Sequence, residues 1–339
     1  MATDHRELDV LVVGELNADL ILRGPITPAY GQVEQLLDDA TLAIGSTLAI
    51  GSSSAIFACG VARLGLKVGF IGKVGDDLFG RFMVDSLRER GIDTRGIQVD
   101  PSVKTGLTVI LSRDDDRALL TYLGSIAALR PEDVDPSQLK RARHLHLGSF
   151  YLLDGLRPGV PYLFARARAA GLTTSLDTNY DPRELWDGEL GAVLKNTDVF
   201  LPNAAELRAI TRLPDIETGL AALRDWRRCA TASARSRSRW VARVRVRCVG
   251  QLRRRRRSCR CRSSTPQALA TRSTPVLCMA ICLAGWDLAR IVRFAAVCGS
   301  LSTRAAGGTA AQATLDEGAG LCLKRPKVRK WAIYRRSSI

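Results

Sequence analysis

Nowhere in its 339 residues does the chain hold an uninterrupted apolar run of the roughly 18 residues that a membrane-crossing helix needs, so no membrane span is expected. The first residues carry acids and lack a basic stretch leading into an apolar core, which argues against a secretory signal peptide and for a cytoplasmic protein. A disordered chain is excluded as well, because the apolar fraction of 46% is ordinary for a globular protein. The length suits one large α/β domain or two ordinary ones. Repeat architecture is also lacking. The segment TLAIGS occurs at 41–46 and again at 47–52, and two copies are too few to build a solenoid.

The most informative absence is local. Residues 227–286 contain no acid and no Lys, but 16 Arg and six of the nine Cys. Residues 1–226 hold 24 Lys/Arg against 31 Asp/Glu, so most of the chain is mildly acidic. The formal net charge of +16 equals the contribution of that one block. Composition therefore breaks near Trp226.

What remains is patterned. LDVLVV at 8–13 is a short apolar run ending at Gly14, as expected of a parallel strand covered on both faces. Residues 54–65 read as a helix closed by Gly65, followed by strand KVGFIG; 77–90 is an amphipathic helix. TGLTVILS, RDDDR and ALLTYL make a hairpin pattern over 105–123. Strand HLHLGSF, helix 160–170, strand TTSLDT, helix 190–196, strand DVFLP and helix 204–211 then alternate. Such alternation predicts a mainly parallel sheet with helices on both faces, and ligands beyond the carboxyl ends of its strands. Asn17 and Asp19, Asp177 and Asn179, and Asn203 and Glu206 fall there. Asp19 is equally a turn former, Asp177 and Asn179 read as loop-shaping residues, and Asn203 with Glu206 is equally a helix capping pair. His144 and His146 lie in a strand pattern, so one is expected to face the core, with no metal role.

Several of these segments, taken together, resemble the ribokinase-like (PfkB) carbohydrate kinases. VVGELNADLI is similar to the family's first strand with its sugar-binding Asn and Asp, here Asn17 and Asp19. Residues 51–80 resemble the first signature, a Gly-rich turn at Gly51 and Ser52, helix, strand and GKVGDD loop. Ile56 stands where the commoner pattern has Asn. VFLPNAAEL looks like the NxxE motif, here Asn203 and Glu206, which in the family helps hold Mg²⁺ and phosphate. CGSLSTRAAGGTAAQAT at 298–314 is similar to the C-terminal loop beside the nucleotide, with Gly307 and Gly308. The resemblance implies a three-layer α/β/α ribokinase-like fold over residues 8–315 with a small β lid, to which hairpin 105–123 and residues 20–40 would contribute. It further implies transfer of the ATP γ-phosphate to a hydroxyl of a sugar or sugar-like alcohol, with ATP and Mg²⁺. A monovalent cation and a homodimer are left open.

One family element is missing. Phosphoryl transfer needs a proton acceptor for the attacking hydroxyl and neutralisation of the γ-phosphate. The family supplies both in a DTTGAGD segment opening a helix, and this chain has none. A coding string for VDTTGAGDAFNAGFVYGYL can be written so that dropping its first base encodes STPQALATRSTPVLCMAIC, which is residues 264–282 of this chain, all nineteen. On that register Thr271 occupies the place of the catalytic Asp, and Ala268 and Ala270 replace two glycines. The block 227–282 is thus expected to be a frame-shifted kinase segment, leaving no catalytic base and an impaired enzyme or a non-catalytic sugar binder.

Two rival readings rank below it. The Arg run 253–257 suits nucleic acid, but no aromatic platform or nucleic-acid motif accompanies it. Cys259, Cys261, Cys278 and Cys282 lack the CxxC spacing of a zinc site, so none is expected. Residues 316–339 read as a basic tail.

Overall fold

The computed structural model describes residues 6–24, 26–28, 31, 46–113, 116–187, 189–228, 288–302, 304 and 308–323. The Arg-rich block, Ala268 to Thr271 within it, Gly307 and residues 324–339 lie outside the described residues.

Strands β1 (Leu8–Val13), β4 (Val68–Gly75), β5 (Asp93–Asp100), β8 (Ala142–Leu147), β9 (Thr173–Leu176) and β10 (Val199–Phe200) form a six-stranded parallel sheet in the order β10-β9-β8-β1-β4-β5. Helices cover both faces, and the short α3 (Ser125–Ala128) and α4 (Pro136–Lys140) precede β8 in the chain. One layer holds α1 (Ser53–Arg63) and α2 (Leu78–Arg88), packed on Val10, Val12 and Phe70. The other holds α5 (Val160–Ala169), α6 (Leu190–Lys195), α7 (Ala204–Thr211) and α8 (Ile216–Arg228), packed on Leu11, Val13, Leu145 and Leu147. Neighbouring residues of β1 thus go to opposite cores, as strand alternation requires, and both cores are apolar. The expected three-layer α/β/α architecture is present.

A second sheet of four strands, order β3-β2-β6-β7, joins β2 (Asn17–Arg23), β3 (Ser46–Ile50), β6 (Gly106–Arg113) and β7 (Asp116–Tyr122). Hairpin β6–β7 pairs Leu107 with Tyr122 through Arg113 with Asp116, as its alternation predicts. The second TLAIGS copy supplies β3, which pairs antiparallel with β2. From the expected 20–40 stretch the described lid takes only the end of β2, since most of 25–45 lies outside the described residues.

The two histidines correct the sequence reading. His144 and His146 are two apart on β8, so they share a face, and both are buried. Their rings converge on Ser175 of β9, with His144 Nε2 and His146 Nδ1 at 2.7 and 2.8 Å from its Oγ, and Phe57 of α1 stacks on His146.

The described residues that follow residue 228 form helices Leu288–Leu301 and Leu315–Leu323, here α9 and α10. A Cβ on Gly318 would lie 2.6 Å from the Phe294 ring, so α10 packs directly on α9. Among the described residues no helix is long and apolar enough to cross a membrane.

Candidate active site

At Gly14 the chain leaves β1 of the large sheet, and by Asn17 it has entered β2 of the lid. The residues between and just beyond sit where the two sheets meet. Asn17 Nδ2 donates to Asp19 Oδ1 and to Thr108 Oγ1, both at 3.1 Å. Opposite them is the turn from β3 into α1. Gly51 N donates to Asn17 O at 3.1 Å, and a Cβ on Gly51 would lie 2.2 Å from Asp19 Oδ1 and 2.6 Å from Asn17 Nδ2. Only glycine lets the turn come so close. Burial pushes the Asp19 carboxyl up to about 6; Arg117 and Asn17 pull against this, and Glu15 adds to it.

Ser52 follows with φ 65° and caps α1, its Oγ accepting from Ala55 N at 2.9 Å and donating to Glu15 O at 2.6 Å. The fold therefore brings Asn17, Asp19, Gly51 and Ser52 into one polar junction.

Sequence reasoning missed the charge beneath it. Glu15 is 2% exposed, and its Oε1 accepts from Ser53 Oγ at 3.0 Å and Ser149 Oγ at 2.7 Å, while Ser54 Oγ donates to Oε2. Four donors including Ser54 N satisfy the carboxylate at the first turn of α1, where the helix dipole also favours a negative charge. Asn179, on the loop after β9, donates to Ser53 Oγ at 3.1 Å and Ser149 Oγ at 2.9 Å. Ser52, Ser149 and Asn179 all have positive φ, at 65°, 54° and 56°. Non-glycine residues in this region are strained by about 1–3 kcal/mol each, and such strain concentrates at functional sites. No local motif announces Glu15 or Ser149. They matter only because β1 and β8 are neighbours in the sheet.

Asn203 and Glu206 lie at the same edge of the sheet, after β10. Their capping box is complete: Asn203 Oδ1 accepts from Ala205 N and Glu206 N at 2.8 and 2.9 Å, and Glu206 Oε2 accepts from Asn203 N at 2.7 Å. β10 is three strands from β1, so the two clusters are separated by roughly 14 Å across the strand ends. Between them, Tyr151 OH and Thr178 Oγ1 are buried with no hydrogen-bond partner among the described residues.

Gly308 lies against α1, where its Cβ would come within 2.2 Å of Ile56 Cδ1; Gln312 anchors this segment by donating to Ile56 O at 2.7 Å. Ile56, the departure from the family's Asn, thus packs on the C-terminal loop. Among the described residues no group of three or more His, Cys, Asp or Glu is arranged to hold a metal by itself.

Comparison with known proteins matches residues 9–228 to the model of the pfkB family carbohydrate kinases. The chain belongs to that family. Its match ends at 228, next to the compositional break. A 5-dehydro-2-deoxygluconokinase of Geobacillus kaustophilus is 32% identical over 197 residues, 57% of this pfkB chain and 56% of the relative. The chain therefore matches about half the length of that relative. Two solved structures share the fold. A ribokinase of Arabidopsis thaliana complexed with ribose and ATP superimposes with TM-score 0.70 at 17% identity, covering 93% of this chain and 99% of that one. An E. coli protein described as a ribokinase II, in complex with ATP and Mg²⁺, gives TM-score 0.70 at 20% identity, covering 92% and 98%.

Proposed function

We propose that this pfkB protein descends from, and in intact form is, an ATP-dependent kinase of a sugar or sugar-like alcohol. The observation that carries the reading is the polar junction of Asn17, Asp19 and Gly51, set at the carboxyl edge of a pfkB-type sheet. Asp19 and Asn17 would bind and orient the acceptor, because a carboxylate takes two hydroxyl donors with geometric selectivity. Gly51 and Ser52 would bring backbone close to the same ligand. Asn203 and Glu206 lie on the phosphate side. The donor set there suits Mg²⁺, which usually takes one or two carboxylates together with phosphate oxygens and water. When bound, Mg²⁺ would neutralise charge on the β- and γ-phosphates. The roughly 14 Å between the clusters leaves room for a phosphate chain.

The literal chain is expected to turn over poorly, since Thr271 stands where the family's proton acceptor belongs and Ala268 and Ala270 replace phosphate-cradling glycines. Loss of a base alone typically costs about 10²–10⁴-fold. Restoring VDTTGAGDAFNAGFVYGYL in place of residues 264–282 should raise sugar-dependent ATP hydrolysis and phosphorylation by at least the lower of these factors. Sequencing the gene across codons 220–290 tests the frame directly. Robust turnover by the unmodified chain, its mass verified, sinks the impairment. Sugar-dependent stabilisation without turnover favours a non-catalytic binder, and steeply salt-dependent duplex binding lost on deleting 227–262 favours nucleic acid.

A further inference from the structure

The two aspartates of the GKVGDD loop, between β4 and α2, belong to neither the acceptor cluster nor the phosphate cluster. They do different things. Asp76 is exposed and pairs with Arg81 at 3.0 Å. Asp77 divides its carboxylate: Oδ1 accepts from Gly80 N at 2.8 Å, capping α2, and Oδ2 accepts from Thr105 N at 2.8 Å. Thr105 is the last residue before β6, where the chain crosses from the large sheet into the lid. Its Oγ1 accepts from Gly75 N at 2.9 Å, so the crossing is bonded twice to the same loop. A Cβ on Gly75 would lie 2.4 Å from Val103 O, and one on Gly80 2.9 Å from Thr105 Oγ1, so loop and crossing touch directly. The returning strand is tied in at the same point. Ser125 N donates to Lys104 O at 2.8 Å, and Gly124, with φ 48°, lies against that carbonyl. Both feet of hairpin β6–β7 thus meet at the crossing that Asp77 holds.

We propose that Asp77 is a positioning residue for the acceptor site: by holding Thr105 it fixes how the lid stands over the large sheet, and through β6 it places Thr108 against Asn17. The inference rests on the sugar-kinase reading above for what that site binds. The path is short. Gly106 pairs with Asn17 across β6 and β2, and a Cβ on Gly106 would lie 3.1 Å from Asn17 Cβ. Two residues on, Thr108 Oγ1 accepts from Asn17 Nδ2 at 3.1 Å, and the same amide donates to Asp19. Arg117, the basic residue whose charge reaches Asp19, rides on β7 of the same hairpin. A small sheet joined to a larger body by short crossings pivots at those crossings, far from the ligand. The bonds made there set how freely it does so. A carboxylate that accepts two backbone N–H groups forms stronger bonds than a neutral acceptor, which suits Asp77 to the task.

Asp77→Asn separates the two bonds. Asparagine has one acceptor oxygen; used as a helix cap, where Asn equals Asp, it leaves the amide nitrogen facing Thr105 N, donor to donor. Hydrogen exchange of the full chain, read by mass spectrometry, should show β6 and β7 exchanging at least about tenfold faster in Asp77→Asn, with α2, β1 and β4 unchanged. Asp77→Ala should release α2 as well, and Asp76→Asn should release neither. Affinity for D-fructose or D-ribose, measured by calorimetry, should fall at least about fivefold in Asp77→Asn and hold in Asp76→Asn. If the Asp77 variants do not fold, Thr105→Val, which removes only the bond from Gly75 N, should loosen β6 and β7 in their place. Unaltered protection of these strands in every variant that folds leaves Asp77 a helix cap and overturns the proposal. A loosened lid with undiminished sugar affinity also overturns it, while the sugar-kinase reading stands. Binding of neither sugar by the unmodified chain tells against that reading instead, and the exchange pattern then decides whether Asp77 holds the lid.

Discussion

The side-chain amide of Asn179 reaches Ser53 Oγ at 3.1 Å across 126 residues of sequence, tying the loop after β9 to the first turn of α1. It does so from a left-handed backbone, φ 56°, that Asn tolerates better than most residues. Two substitutions separate backbone from amide. Asn179→Gly keeps the conformation and removes the bonds to Ser53 and Ser149; Asn179→Ala removes the bonds and adds strain. The alanine variant should be less stable than the glycine variant by about 1 kcal/mol in urea unfolding, while both lose sugar affinity alike. Equal stability would mean that the loop relaxes out of this conformation.

Gly51 admits nothing larger. A Cβ would fall 2.2 Å from Asp19 Oδ1, so Gly51→Ala must displace the carboxylate or the turn. Overpacking of this sort costs about 1–3 kcal/mol, and the expected functional loss is larger in proportion. Sugar binding measured by calorimetry should weaken at least about tenfold, as a lost charge-assisted hydrogen bond implies. Unchanged affinity would remove Asp19 from the acceptor site.

The strands were legible where apolar runs or alternation marked them, as in LDVLVV and the 105–123 hairpin. β5 was not, because DTRGIQVD lies at the sheet edge, half exposed, and shows neither pattern. Helix α8 went unread beside the compositional break. Asn17, Asp19, Asn203 and Glu206 were legible as polar residues following strands. Glu15 and Ser149 were not, since their pairing depends on β1 and β8 being neighbours, a fact of sheet order rather than of any local motif.

Two buried groups give opposite pH slopes in the same window. His144 is buried, and desolvation lowers its pKa to about 4, Asp198 opposing. Unfolded, it takes up its proton near 6.5, so stability is lost as pH falls from about 6.5 to about 4, by up to about 3 kcal/mol. Asp19 is the reverse: raised to about 6, it remains protonated in the fold where an unfolded Asp is ionised, so stability is lost as pH rises from about 4 to about 6. The unmodified protein should therefore show a shallow profile between pH 4 and 6. In Asp19→Asn the acid-side loss from His144 is no longer opposed by Asp19, so the profile should steepen. Chemical unfolding at half-unit intervals of pH measures both, and a profile unaltered by Asp19→Asn would remove Asp19 as a buried titrating group.

Sugar binding should follow Asp19 in its own direction. The ionised carboxylate is the better acceptor for two hydroxyls, so affinity should rise as pH climbs through about 6 and level off above 7. Asp19→Asn should bind weakly at every pH, with a flat profile. A rise that persists in the Asn variant would assign the titration to another group.

Tyr151 tests whether the gap between the two clusters is built for a ligand. The ring packs edge-on against Phe150 and Trp186, with centroids 5.3 and 5.5 Å apart, yet its hydroxyl is buried without a partner among the described residues. Burial, with Asp181, Asp187 and Glu206 adding to it, holds that hydroxyl well above the usual phenol range, so it stays protonated and available as a donor. A buried polar group left unpaired costs about 1–3 kcal/mol, and Tyr151→Phe removes that cost while keeping the ring contacts. The variant should unfold at higher urea, gaining about 1 kcal/mol. If the hydroxyl instead donates to a bound ATP phosphate, the same variant should weaken ATP binding even as the apo protein becomes more stable. A loss of apo stability would show that the hydroxyl already has a partner and that the gap is closed.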